Sequence, residues 1–158
     1  MAKVIKPLKE VSIYNSNKTI FLAGTIDNGN ASDDWQPKAC EALKDYDVNI
    51  YNPRRDKWEG SWEQSIKNKD LVNQVEWELH ALKKSDFILM NILGDSKSPI
   101  TLLELGLHAQ SGKLMVACPK DFYRYVNIYV TCKKYNVPLF ETFDELLKSF
   151  ISKNLNKK

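Results

Sequence analysis

A doubly wound α/β domain with a mostly parallel five-stranded sheet, flavodoxin- or Rossmann-like, is the fold class this sequence predicts. Short apolar runs of about four to six residues alternate with longer amphipathic segments, which is the signature of βαβ units. Polar and charged loops fall just after the apolar runs. No repeat, linker or low-complexity stretch divides the chain, so a single domain over residues 1–158 is expected. At 43% hydrophobic and 27% charged, 158 residues suffice for one real core.

In chain order, residues 1–18 read as a lead-in, with Val11–Tyr14 as a candidate short strand. Thr19–Ala23 is a buried-strand run that Gly24-Thr25 ends. A loop of small polar residues follows, and Ser32 or Asp33 then caps a helix to about Lys44. Its inner face is Trp35, Ala39, Ala42 and Leu43, and Pro37 falls in the first turn, where proline is tolerated. Val48–Tyr51 is the second strand, halted by Asn52-Pro53. The stretch from Arg54 to about Asp70 is long for a structureless connection, which marks a lid or binding loop, with a helical turn near Glu63–Asn68. A helix over about 70–85 precedes a near-continuous apolar strand, Phe87–Ile92. Ser98–Gly112 has a helix start built in, with Ser98 as N-cap, Pro99 at the first helical position and Gly112 as the stop. Its apolar residues cover almost the whole circumference, so burial on most sides is expected. Lys113–Cys118 is the fourth strand, Tyr123–Tyr135 a helix, Pro138–Phe140 the last strand, and Phe143–Leu155 a closing helix. Thr142 and Glu145 form a capping box for that helix.

The net charge of +3 gathers at the ends, with 153–158 a basic tail, and does not call for a nucleic acid partner. Three cysteines, an odd number with no close pair, fit no zinc site and indicate a reducing compartment. No apolar run approaches membrane-spanning length and the start lacks a signal-peptide core, so the expectation is a cytoplasmic protein with no membrane partner. Phosphate-loop and dinucleotide glycine patterns and the GxSxG turn are all absent. Neither a cofactor nor a metal is expected.

In doubly wound sheets ligands bind beyond the carboxyl ends of the strands. Those ends are residues 24–27, 52–55, 91–98 and 119–124. Glu104 sits inside the apolar helix, where a carboxylate is costly unless it is used or paired. It is either a nucleophile, the partner of His108 one turn on, or a group on a face that reaches solvent. Glu78 falls along the edge of a stripe formed by Leu71, Val75, Leu79 and Leu82; either it leans out to water or it serves a site. Two such carboxylates are the usual means of breaking a glycosidic bond. Arg54 and Arg55 follow a strand end and suit an anionic group, the alternative being a solvated surface pair. Trp58 and Trp62 either stack on a base or pin their loop. His80 lies opposite the apolar stripe and is expected to be exposed.

Together the segments IFLAGTID (20–27), DWQ (34–36), YNPRRDKW (51–58), QVEWELHALKKSD (74–86), SPITLLELGLHAQSGK (98–113) and YRYVNIYVTCKKYNVP (123–138) resemble the nucleoside 2-deoxyribosyltransferase family, in its phage and bacterial deoxyribosyltransferase-like branch. The resemblance implies that Glu104 attacks the anomeric carbon of a 2′-deoxyribonucleoside, expels the base and holds the sugar as an ester until a second base or water releases it. It implies that Glu78 orients sugar and nucleophile, that Asp86 is structural, and that Gly24, Asp27, Trp35, Asn52, Arg54, Arg55, Ser98 and Asn127 bind substrate. Two positions depart from the pattern. Ser98 stands where the transferases carry an aspartate that serves the base; related deoxynucleoside-monophosphate hydrolases have a serine there that contacts the 5′-phosphate. Phe21 replaces a tyrosine that hydrogen-bonds the nucleophile. Asp95 or Asp27 remains to supply the acid. Transfer between bases is therefore the expected activity, with monophosphate hydrolysis or non-catalytic nucleotide binding as alternatives. The partners are nucleoside or nucleotide and nucleobase. The apolar excess in Tyr123, Tyr125, Val126, Ile128, Tyr129 and Val130 predicts a homo-oligomer in which Asn127 nears a neighbour's Glu104.

Overall fold

The computed structural model describes residues 1–9, 17–26, 34–54 and 62–155. Strands and helices alternate: β1 Lys3–Ile5, β2 Lys18–Gly24, α1 Trp35–Leu43, β3 Val48–Tyr51, α2 Lys69–Lys84, β4 Phe87–Asn91, α3 Pro99–His108, β5 Leu114–Ala117, α4 Tyr125–Lys134, β6 Leu139–Phe140 and α5 Phe143–Asn154. The sheet has the order β1-β3-β2-β4-β5-β6, and the β1–β3, β2–β3, β4–β5 and β5–β6 pairings are parallel. Six strands correct the expected five, because part of the lead-in, Lys3–Ile5, pairs with Asn49–Tyr51 at the sheet's edge. Three residues with Ile5 as their one buried side chain are too few to show a period. Backbone bonds hold the strand instead, with Asn52 N–H donating to Ile5 C=O at 3.0 Å and Ala2 N–H to Lys44 C=O at 2.9 Å. The candidate strand at Val11–Tyr14 and the cap at Ser32 or Asp33 lie outside the described residues.

Contacts gather the chain into two compact units, Met1–Phe21 with Asp27–Asp86, and Leu22–Ile26 with Phe87–Lys158. In the first, Trp77 of α2 lies 6.4 Å from Phe21 and 6.3 Å from Tyr51, ring centre to ring centre, and its indole N–H donates to Lys9 C=O at 2.9 Å. Asp86 closes the start of β2, accepting from Thr19 N–H at 2.8 Å and Thr19 Oγ1 at 3.0 Å, in keeping with a structural role. Asn68 caps α2 by accepting from Leu71 N–H at 3.3 Å. The buried face of α2 corrects the expected stripe: Gln74, Trp77, Ala81 and Leu82 are inside, while Val75 and Leu79 are exposed. The large indole takes the inner position and turns the aliphatic pair outward. Glu78 thus falls among the inner residues, half-buried, and His80 is exposed.

In the second unit Ile88, Leu89, Met90, Val116, Leu146 and Phe150 form the core, with Phe87 and Phe150 meeting edge to face at 5.0 Å. Thr142 caps α5, its hydroxyl accepting from Glu145 N–H at 3.3 Å. Pro99 opens α3 as expected, and the chain turns after His108 through Gly112, whose φ is +76°. Burial of α3 on most sides is corrected. Thr101, Leu105 and Ala109 face inward, whereas Ile100, Leu103 and Leu107 are 59%, 58% and 55% exposed. A helix lying on a sheet has one buried stripe, and apolar composition elsewhere does not create neighbours for the other. Cys118, just after β5, and Cys132 on α4 are buried free thiols, while Cys40 is half-buried. No helix among the described residues is long and apolar enough to cross a membrane.

Candidate active site

The strand order reverses at β2, so the carboxyl ends of β2 and β4 mark the topological switch point at which such sheets bind ligands. Gly24 makes that end possible. Its φ is +132°, and a Cβ placed on it would stand 2.0 Å from Asn91 O. The close approach lets Thr25 N–H donate to Asn91 C=O at 2.9 Å. Thr25 then joins Ser96 and Ser98 in a cluster of hydroxyls: Thr25 Oγ1 is 2.6 Å from Ser98 Oγ and 3.1 Å from Ser96 Oγ, and the two serines are 2.8 Å apart. Proton bookkeeping orders the cluster. Ser96 donates to Leu93 C=O at 2.7 Å, and Thr25 Oγ1 accepts from Leu93 N–H at 3.0 Å. With the Thr25 proton directed at Ser98, the Ser98 hydroxyl donates to Ser96 Oγ, from which it can rotate towards a bound group.

Ser98 occupies the N-cap position of α3 with left-handed backbone, φ 47° and ψ 53°, and makes no capping hydrogen bond. The expected cap is therefore a member of the cluster instead. Its side chain leaves the first-turn amides of α3 to other partners, and a helix start with uncapped amides beside hydroxyl donors suits an anion or a carbonyl. Glu104 follows six residues on, about 9 Å along the helix axis, half-buried beside the inward Leu105. Burial, then the charge of Lys113, pushes the His108 imidazole below its ordinary value. Asp95 is exposed in the loop before α3, and Asn127 is exposed on α4.

In the first unit the site residues cluster around the end of β3. Asn52 is buried and its Oδ1 accepts from Arg54 N–H at 3.1 Å, a side-chain turn that fixes the Asn-Pro-Arg corner. Lys6 Nζ donates to Arg54 C=O at 3.1 Å. Arg54 forms an ion pair with Asp34 at the start of α1. It is thus not a solvated surface arginine, since the carboxylate of the DWQ segment lies against its guanidinium. Trp35 is buried on α1. Glu78 accepts at Oε1 from Gln74 Nε2 at 2.9 Å, and the same nitrogen lies 3.4 Å from Pro53 C=O. Phe21 is a core residue against Trp77. Asp27, Arg55 and Trp58 lie outside the described residues, and Trp62 is half-buried.

Four polar residues of this arrangement escaped the sequence reading: Ser96 and Thr25 as a hydroxyl pair, Gln74 and Gln36. Gln74 had a readable signal, since it stands one turn before Glu78. Gln36 had none; it is fully buried in the first turn of α1, and neither atom of its amide has a hydrogen-bond partner among the described residues. No three His, Cys, Asp or Glu side chains among the described residues gather into a group able to hold a metal.

A family model described as "Nucleoside 2-deoxyribosyltransferase like" matches residues 17–122. No curated protein matches the chain. Among solved structures, a conserved protein from Enterococcus faecalis V583 superposes with a TM-score of 0.61 at 13% identity, over 87% of this chain and 99% of that one. A 2-deoxyribosyltransferase from Bacillus psychrosaccharolyticus superposes with a TM-score of 0.56 at 20% identity, over 82% of this chain and 90% of its own. At such identities the two likenesses speak for the fold.

Proposed function

Because the chain belongs to the nucleoside 2-deoxyribosyltransferase-like family, we propose that it cleaves the N-glycosidic bond of 2′-deoxyribonucleosides and transfers the sugar to another base. Glu104 is the nucleophile. Its carboxylate forms a bond to C1′ as the C1′–N bond breaks, and the departing base takes the electron pair and a proton from an acid or water. The glutamyl ester is then attacked at C1′ by a nitrogen of the second base, whose proton passes to the acid or to water as the C1′–O bond breaks and the carboxylate is restored. Glu78 holds the sugar and the nucleophile in line. The observation that carries this reading is the position of Glu104, a half-buried carboxylate on the helix that starts at the switch point behind Ser98.

One observation favours a second reading, hydrolysis of a 2′-deoxynucleoside 5′-monophosphate. Position 98 offers a hydroxyl within the Thr25–Ser96–Ser98 cluster at a helix start, a donor set suited to phosphate and not to protonating a base. One experiment separates the readings. The protein is incubated with a deoxynucleoside and an acceptor base, then with a deoxynucleoside monophosphate alone, and products are followed by chromatography. Base exchange is expected in the first mixture and is abolished by Glu104→Ala. Free base and deoxyribose 5-phosphate without an acceptor point to the hydrolase. Tight binding without product in either mixture leaves a nucleotide-binding module.

The reading includes a homo-oligomer. Val126, Tyr129 and Val130 on α4 and Tyr123 just before it are exposed, as are Ile100, Leu103 and Leu107 on α3. Apolar stripes on two helices of one unit support a covered face. Asn127, among the α4 residues, would then approach the partner's Glu104.

A further inference from the structure

We propose that Gln74 is a positioning residue, one that fixes the aim of the Glu78 carboxylate by tying it to the strand-end corner at Pro53. The proposal rests on the role given to Glu78 in the preceding subsection. Gln74 is only 7% exposed, on the inner face of α2 one turn ahead of Glu78. A primary amide nitrogen carries two hydrogens. One reaches Glu78 Oε1 at 2.9 Å and the other is directed at Pro53 C=O, 3.4 Å away. The bond to the carboxylate is charge-assisted and is the stronger of the two.

What gives this link a function is the stiffness of its far end. The Asn52-Pro53-Arg54 corner is held by Asn52 N–H to Ile5 C=O at 3.0 Å, Arg54 N–H to Asn52 Oδ1 at 3.1 Å, Lys6 Nζ to Arg54 C=O at 3.1 Å, and the Arg54–Asp34 ion pair. A glutamate has three side-chain torsions, and its last one is broad. Tethering one oxygen through an amide to a fixed carbonyl removes that freedom before substrate arrives. A group that must meet a sugar at a set distance gains from such preparation, since a misplacement of about 1 Å costs about a hundredfold in rate. The amide is specific to the task. A carboxylate at position 74 would repel Glu78, and an aliphatic side chain would leave both acceptors without this donor.

The test is a double-mutant cycle on the full chain. Gln74→Met keeps the length and removes the donor, so kcat and kcat/KM for base exchange are expected to fall together by about 10- to 100-fold with a native thermal transition. In a Glu78→Ala background, followed by prolonged incubation, Gln74→Met is expected to cost nothing further, because the group it aims is gone. Gln74→Leu, apolar and slightly smaller, reads the same cycle should the Met variant unfold. Full activity of the Gln74 variants, or the same loss with and without Glu78, overturns the proposal: the amide would then only satisfy Pro53. A wild-type chain that neither exchanges nor hydrolyses overturns the activity reading itself, and the proposal falls with it.

Discussion

Gln36 pairs none of its amide hydrogens or lone pairs among the described residues, yet none of it reaches solvent. A buried polar group in that state costs about 1–3 kcal/mol relative to a satisfied one. Gln36→Met, close in length and apolar, is therefore expected to raise the unfolding free energy by about 1–3 kcal/mol in urea titrations. A loss of stability would mean that the amide is satisfied in solution. Nothing in the residue's neighbourhood in sequence announced its burial. Trp35, Ala39 and Leu43 did turn inward as the helical period required, whereas Ala42 is exposed. Small or polar residues near the stripe's border are placed by what they meet across the fold, and a single chain read along its length does not contain that.

At the scale of elements, strands were the easiest to read. Val48–Tyr51 and Phe87–Asn91 are apolar runs that stop at asparagine, and the structure begins and ends them within a residue or so of expectation. Helices were legible in existence and less so in phase. Both α2 and α3 carry more apolar residues than one buried stripe needs, and the choice among them is made by the partner surface, as Trp77 does for α2. The site was legible in the same uneven way. Asn52, Arg54, Ser98 and Glu104 are candidates because loops after strands and carboxylates in apolar helices stand out locally. The hydroxyl cluster joins residue 25 to 96 and 98, and the amide link joins 53 to 74, so neither has a local trace. The surplus apolar face of α3 has its own consequence. Leu103→Lys alters a side chain 58% exposed in the single chain, so the monomer's stability should hardly change. If that face is covered by a second copy, the substitution is expected to shift sedimentation of an oligomer to the 18.2 kDa monomer at micromolar concentration. A wild-type monomer, or an oligomer indifferent to the charge, would remove α3 from the interface.

For the molecule as a whole, each compact unit is stitched from distant segments, and Leu22–Ile26 belongs with residues after Phe87. The second unit also holds two shielded thiols. Burial pushes Cys118 up to about 12, with Cys132 and Asp121 adding to it, and burial alone pushes Cys132 to about 11. An unfolded cysteine loses its proton near pH 8.5, so above that pH the unfolded chain sheds protons before the folded one, and stability is expected to decline as pH rises from there towards the folded values. At pH 8 the Cys118 thiol therefore stays protonated in the folded chain, whereas an unfolded cysteine is already partly thiolate. An alkylating reagent at that pH is expected to mark Cys40 first and to reach Cys118 and Cys132 only when their unit opens, which peptide mass spectrometry reads directly. Equal labelling of all three in native buffer would contradict their burial. Two native sulfur atoms, with no probe added to the chain, thus serve as a stopwatch for how often that part of the molecule breathes.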